Sequence, residues 1–131
     1  MKERAIPVLP MDDPQKAREF YVVGLGFREV FEGHYGSNGT IIGLERGGLR
    51  IHLDCPMPGH GREACVCLEV LDADALYELW SANVAIRDVP KNEQWGARTF
   101  TIIDPFGNSL FVVGPIISNG KPNKPHAADP R

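Results

Sequence analysis

The sequence predicts an α+β fold of two tandem β-α-β-β-β modules, forming a curved mixed sheet around a cleft. Three observations carry that prediction. The chain repeats itself at a shift of 59 residues, each copy opens on a short strand and an Asp-capped helix, and each closes on apolar strands joined by a Gly-containing turn. With Ile6 set over Cys65, Asp13 falls on Asp72, Phe20 on Leu79, Tyr21 on Trp80 and Phe27 on Ile86. Farther on, Thr40 falls on Thr99, Ile41 on Phe100, Leu44 on Ile103, Glu45 on Asp104, Gly48 on Gly107 and Ile51 on Leu110. No gap is needed, and the matches are of character more than identity. Two such copies packed together create a cleft whose equivalent positions face each other.

In the first copy, Arg4–Leu9 reads as a short apolar strand. Asp13 is placed as a helix N-cap, with Pro14 at the first helical position. Ala17, Phe20 and Tyr21 lie at helical spacing on one face, and Gly24 closes the helix. Strands follow at Phe27–Glu32, Thr40–Glu45 and Leu49–Leu53, separated by a turn at Gly33–Gly39 and by Arg46-Gly47-Gly48. The second copy repeats the plan. Ala64–Val70 is a strand, Asp72 caps a helix with Leu76, Leu79 and Trp80 as its buried stripe, and Ile86–Val89 is a strand. Ala97–Ile103 and Ser109–Val113 make a hairpin around Asp104-Pro105-Phe106-Gly107-Asn108, where Gly107 supplies the backbone angles of the turn.

The copies thus span 4–53 and 63–113 within one domain of residues 1–117. Residues 54–62, rich in Pro and Gly, read as the linker, and 118–131 as a flexible tail. Hydrophobic residues make up 43% and charged ones 24%, an ordinary globular balance. The net charge of −3 argues against nucleic acid or an anionic membrane as partner, and no apolar run reaches membrane-spanning length. Cys55, Cys65 and Cys67 form an odd set, and Met1-Lys2-Glu3-Arg4 opens no signal peptide. Reduced thiols in the cytoplasm are the expectation.

Several segments together resemble the vicinal oxygen chelate superfamily, which takes in glyoxalases, fosfomycin resistance enzymes, extradiol dioxygenases and bleomycin resistance proteins. They are Ala5-Ile6-Pro7-Val8-Leu9, Ala17-Arg18-Glu19-Phe20-Tyr21, Leu25-Gly26-Phe27, Trp95-Gly96-Ala97-Arg98-Thr99-Phe100 and Asp104-Pro105-Phe106-Gly107-Asn108. Pro7-Val8-Leu9 and Trp95-Gly96 look most like the bleomycin resistance proteins. That resemblance implies a homodimer that captures a drug or metabolite, a bleomycin-like cationic glycopeptide among them, without transforming it.

The resemblance also implies where a metal would sit in the enzymes of the superfamily: four strand positions, here Ile6, His52, Cys65 and Phe111. Ile6 and Phe111 cannot ligate, so the expectation is no cofactor and no enzyme, with His52 and Cys65 left as weak metal candidates. A zinc site drawing on Asp54, Cys55, His60 and Cys67 lacks ligand spacing, and buried small hydrophobes are the plainer reading of such cysteines. The alternative function is a glyoxalase- or fosfomycin-resistance-like lyase, isomerase or transferase with an altered ligand set.

Strand alternation then selects the cleft face. It carries Ile6, Val8, Arg50, His52, Cys65, Cys67, Glu69, Ser109, Phe111 and Val113, an apolar surface with few polar points. Trp95 stacks on a planar ligand or covers the sheet edge, and Arg98 and Glu69 orient a ligand or pair on the surface. The expected ligand-binding set is His52, Cys65, Cys67, Trp95, Arg98, Phe111, Arg50 and Glu69. The same face with nothing bound is a collapsed core.

Overall fold

A computed structural model of the chain describes residues 2–56, 63–118 and 121–122. Most of the expected linker, with His60, and most of the expected tail lie outside the described residues. The fold is α+β, with two four-stranded sheets and a two-stranded ribbon. The chain forms two compact units, Met1–Val66 with Ile103–Ser109, and Cys67–Ile102 with Leu110–Arg131.

The first unit runs β1 (Val8–Pro10), α1 (Pro14–Arg18), a π-helical stretch Glu19–Gly24, β2 (Arg28–Tyr35), β3 (Gly39–Arg46) and β4 (Leu49–Cys55). Strand order is β1-β4-β3-β2, with β1 parallel to β4 and the other neighbours antiparallel. Asp13 is extended at φ −150° and accepts from the Gln15 N–H at 2.9 Å, which satisfies a donor that a helix start leaves orphaned. Leu9, Ala17, Tyr21, Phe27, Ile42, Leu44, Ile51 and Leu53 are fully buried and make the core. Each large member contributes about 1.5–3 kcal/mol through burial.

Expected boundaries shift for identifiable reasons. β1 is shorter than Arg4–Leu9 and starts at Val8. β2 extends to Tyr35 because that ring folds over Gly39, and its hydroxyl, with one proton to donate, lies 2.6 Å from Asp54 Oδ1 and 2.7 Å from the Pro56 carbonyl. The Gly33–Gly39 turn narrows to residues 36–38.

The 103–109 turn belongs to the first unit. Asp104, 4% exposed, accepts from the Phe106 and Asn108 N–H groups, from Asn108 Nδ2 and from the Tyr21 hydroxyl at 2.7 Å. Asn108 donates onward to the Pro10 carbonyl and accepts from the Ala64 N–H. Gly107 holds φ +85°, as the turn requires.

The second sheet holds β5 (Cys65–Glu69), β6 (Lys91–Asn92), β7 (Ala97–Ile103) and β8 (Ser109–Pro115), with α2 (Ala73–Ser81) between β5 and β6. Its order is β5-β8-β7-β6. β9 (Ile117–Ser118) and β10 (Lys121–Pro122) form the ribbon, so the expected tail begins with paired strand.

The repeat extends to individual bonds. Met11 N–H donates to the Asp54 carbonyl in the first copy, and Val70 N–H to the Val113 carbonyl in the second, at 3.0 and 2.8 Å, shifted by the same 59 residues. Asp72 caps α2 through Ala75 N–H as Asp13 caps α1.

Two expectations fail in the second copy. Leu79 is 52% exposed, and the buried face of α2 is Ala73, Leu76 and Trp80. No strand forms at Ile86–Val89. The Asp88 carboxylate takes the Thr101 N–H at 2.8 Å, a donor that strand pairing there would need, and β6 forms instead at Lys91–Asn92.

Candidate ligand-binding faces

Register builds the open face of the first sheet in two rows. One row is Phe31, Gly43, His52 and Val8, and the next is Arg28, Glu45 and Arg50. Ile51 and Leu53 alternate to the buried side. A Cβ at Gly43 would collide with the Phe31 ring, so the glycine is what lets Phe31 lie across β3. The Phe31 ring meets His52 edge-on at 4.9 Å and 80°, with the Arg50 guanidinium 5.8 Å from its centre.

Arg50 Nε donates to His52 Nε2 at 3.1 Å, and Arg50 Nη1 donates to Glu45 Oε2 at 3.3 Å. Arg28 pairs with the other Glu45 oxygen at 3.0 Å. Because a guanidinium only donates, His52 Nε2 must present its lone pair, and the ring proton sits on Nδ1. Desolvation first, then the charges of Arg50 and Arg4, push the His52 pKa below its usual 6.5, which keeps the ring neutral near pH 7.

Phe31 escaped the sequence reading for a physical reason. A β-bulge between Glu29 and Phe31 shifts the register of β2, so strict alternation from Arg28 places Phe31 on the wrong side. A glycine inside an apolar strand, Gly43, was the available signal for a close approach.

On the second sheet, Cys65, Cys67 and Glu69 are exposed while Leu68 is buried, and half-buried Phe111 and Val113 alternate with buried Leu110, Val112 and Gly114. None of the three cysteines is in a disulfide. Trp95 is 53% exposed and, with Glu69, Ala97, Val113 and Pro115, lines a hollow of about 200 Å³. Arg98 lies on the opposite face, alternating with Ala97 and sharing its side with Phe100, which packs on Tyr77 and Trp80. Its guanidinium grips Asp74 at 2.7 and 3.1 Å and Asn92 at 3.1 Å. That pairing raises the Arg98 pKa through the Asp74 hydrogen bond and takes Arg98 away from the Trp95 hollow. The structure therefore groups Arg50 with His52, and Glu69 with Trp95.

The residues at the four metal positions implied by the resemblance do not fit a divalent ion. Ile6 and Phe111 offer only hydrocarbon, and the Nε2 lone pair of His52 is taken by Arg50. Of the looser zinc set, His60 lies outside the described residues, and the Cys55 thiol donates to the Asp12 carbonyl at 3.4 Å. Among the described residues, no three His, Cys, Asp or Glu side chains gather as a metal site.

The bleomycin-binding protein of bleomycin-producing Streptomyces verticillus, complexed with copper(II)-bleomycin, is 27% identical with a TM-score of 0.68, over 88% of this chain and 100% of that one. A bleomycin-binding protein complexed with bleomycin is 25% identical with a TM-score of 0.66, over the same shares. An antibiotic-binding protein of Streptomyces sp. CB03234, 24% identical, shares the fold with a TM-score of 0.72, over 88% of this chain and 99% of that one. No curated protein matches the sequence. The family model described as a glyoxalase superfamily protein matches residues 1–114, nearly the whole of both copies, and the chain belongs to the glyoxalase superfamily.

Proposed function

We propose that this protein is a capture module of the bleomycin resistance type: it binds a small, partly aromatic drug or metabolite, as a homodimer and without metal, and returns it unchanged. The observation that carries the reading is Trp95. An indole left 53% exposed over a hollow of apolar walls and one carboxylate, Glu69, is a stacking surface with an orienting charge. The hydrocarbon at two of the four metal positions supports the same reading, because a lyase or transferase of the metal-dependent kind needs a Lewis acid there. The two solved structures of bleomycin-binding proteins that the chain matches at 25% and 27% identity support capture as the activity.

The test is binding followed by recovery. The purified protein, before and after dialysis against a chelator, is titrated with bleomycin and with a panel of planar aromatic compounds. The expected result is saturable binding of at least one compound, equal with and without chelation, and a ligand whose mass is unchanged on recovery. A ligand recovered with altered mass, or binding that disappears on chelation, would move the protein to the metal-dependent enzymes.

A further inference from the structure

The open face of the first sheet points to the charge its ligand carries, an inference that rests on the capture reading above. Arg50 is the reason. Its Nε is committed to His52 and its Nη1 to Glu45, while Nη2 has no partner among the described residues. Its side chain is 19% exposed, held in place by two hydrogen bonds and by the Phe31 ring. A fixed, partly desolvated guanidinium with an open donor is a stronger anion receptor than a mobile surface arginine.

The surroundings reinforce that sign. Arg4 lies close enough to act on His52 electrostatically, and Arg28 stands in the Arg50 row. Glu45, the carboxylate in that row, is shared between Arg28 and Arg50. Among the described residues, Lys2, Glu3, Arg4 and Ile6 line a hollow of about 700 Å³, in the segment leading to Pro7, whose carbonyl accepts the His52 N–H. Among the described residues of the hollow and this face, Lys2, Arg4, Arg28 and Arg50 outnumber Glu3, Glu45 and Asp54, the last of which accepts from the Tyr35 hydroxyl. His52 presents a neutral ring whose Nδ1 carries a proton, so it adds a donor and no negative charge. Phe31, 37% exposed, adds apolar surface.

We infer that the ligand of this face is a planar aromatic molecule bearing an anionic oxygen group, which Arg50 receives. Carboxylate and phosphate share the chemistry that Arg50 recognises, planar or tetrahedral oxygen anions accepting from N–H. A cationic ligand is disfavoured at the same place.

The test compares isosteres that differ only in charge: 2-naphthoate, 2-naphthamide and 2-naphthylmethylammonium, with 2-naphthyl phosphate as the phosphate arm. Each is titrated by calorimetry into the full chain, with ¹⁵N spectra recording the Arg50 Nε–H signal. The expected result is that an anion binds about tenfold or more tighter than the amide and shifts the Arg50 signal. Whichever anion binds tighter identifies the oxygen group. Arg50→Gln should erase the preference for anion over amide, and Arg50→Lys should retain part of it. Equal affinity for anion, amide and cation would overturn the inference and leave capture standing. No binding by any of the four, while bleomycin or another compound of the aromatic panel binds, would overturn the inference and leave capture standing; no binding by any compound of the panel would overturn both.

Discussion

At the scale of single residues, most of the polar side chains that matter are held by designated partners. Asp104 satisfies four donors, and among the described residues no buried side-chain N or O lacks a partner. Replacing Asp104 by Ala would strand the Tyr21 hydroxyl and two backbone N–H groups inside the first unit. We expect a loss of about 3 kcal/mol or more in urea unfolding, against a smaller loss for Tyr21→Phe, which removes one bond. The sequence marked 104–108 as a turn and identified its glycine, but a buried carboxylate is invisible to periodicity when one of its partners, the Tyr21 hydroxyl, lies 83 residues away. His52 provides a second prediction. Its folded pKa lies below 6.5, so the unfolded chain binds more protons as pH falls. Its contribution is therefore fully present above about pH 6.5 and is lost as pH drops toward the folded pKa. Histidine NMR titration should place the His52 midpoint below 6.5, and a midpoint above 6.5 would contradict the Arg50–His52 hydrogen bond described here.

At the scale of elements, the helix starts were the most legible, because Asp13 and Asp72 act through residues two and three positions away. Strands were legible in number and less so in extent. A side chain standing in for backbone, as Asp88 does, removes a strand whose apolar pattern is intact. The face assignment for Arg50, His52, Cys65, Cys67 and Glu69 follows from counting by twos, and it failed to reach Phe31 where the bulge resets the count. Gly43 is the corresponding point of vulnerability. Gly43→Ala puts a methyl into the space of the Phe31 ring, and we expect a cost of about 1–3 kcal/mol together with loss of the Phe31–His52 ring contact. Denaturant unfolding and the ring-current shift of His52 measure the two effects. A fully stable variant with an unchanged His52 spectrum would mean that Phe31 does not rest on Gly43.

For the whole molecule, the duplicated plan was legible from sequence because the 59-residue shift needs no gap, and the same shift relates backbone hydrogen bonds in the two copies. What the repeat could not convey is the exchange by which Ile103–Ser109, from the second copy, is built into the first unit. The Asp104 and Asn108 bonds explain it. As a homodimer the protein should sediment at twice its 14.5 kDa chain mass, and a monomer at micromolar concentration would contradict that part of the proposal. Capture at the exposed face around Trp95 can be read from tryptophan emission. The chain has two tryptophans, Trp80 fully buried and Trp95 half-exposed. Titrating the ligand found by the binding panel should quench part of the emission saturably in the native protein and leave Trp95→Phe unchanged. Emission that does not respond in the native protein, or that responds equally in the variant, would contradict ligand capture at Trp95.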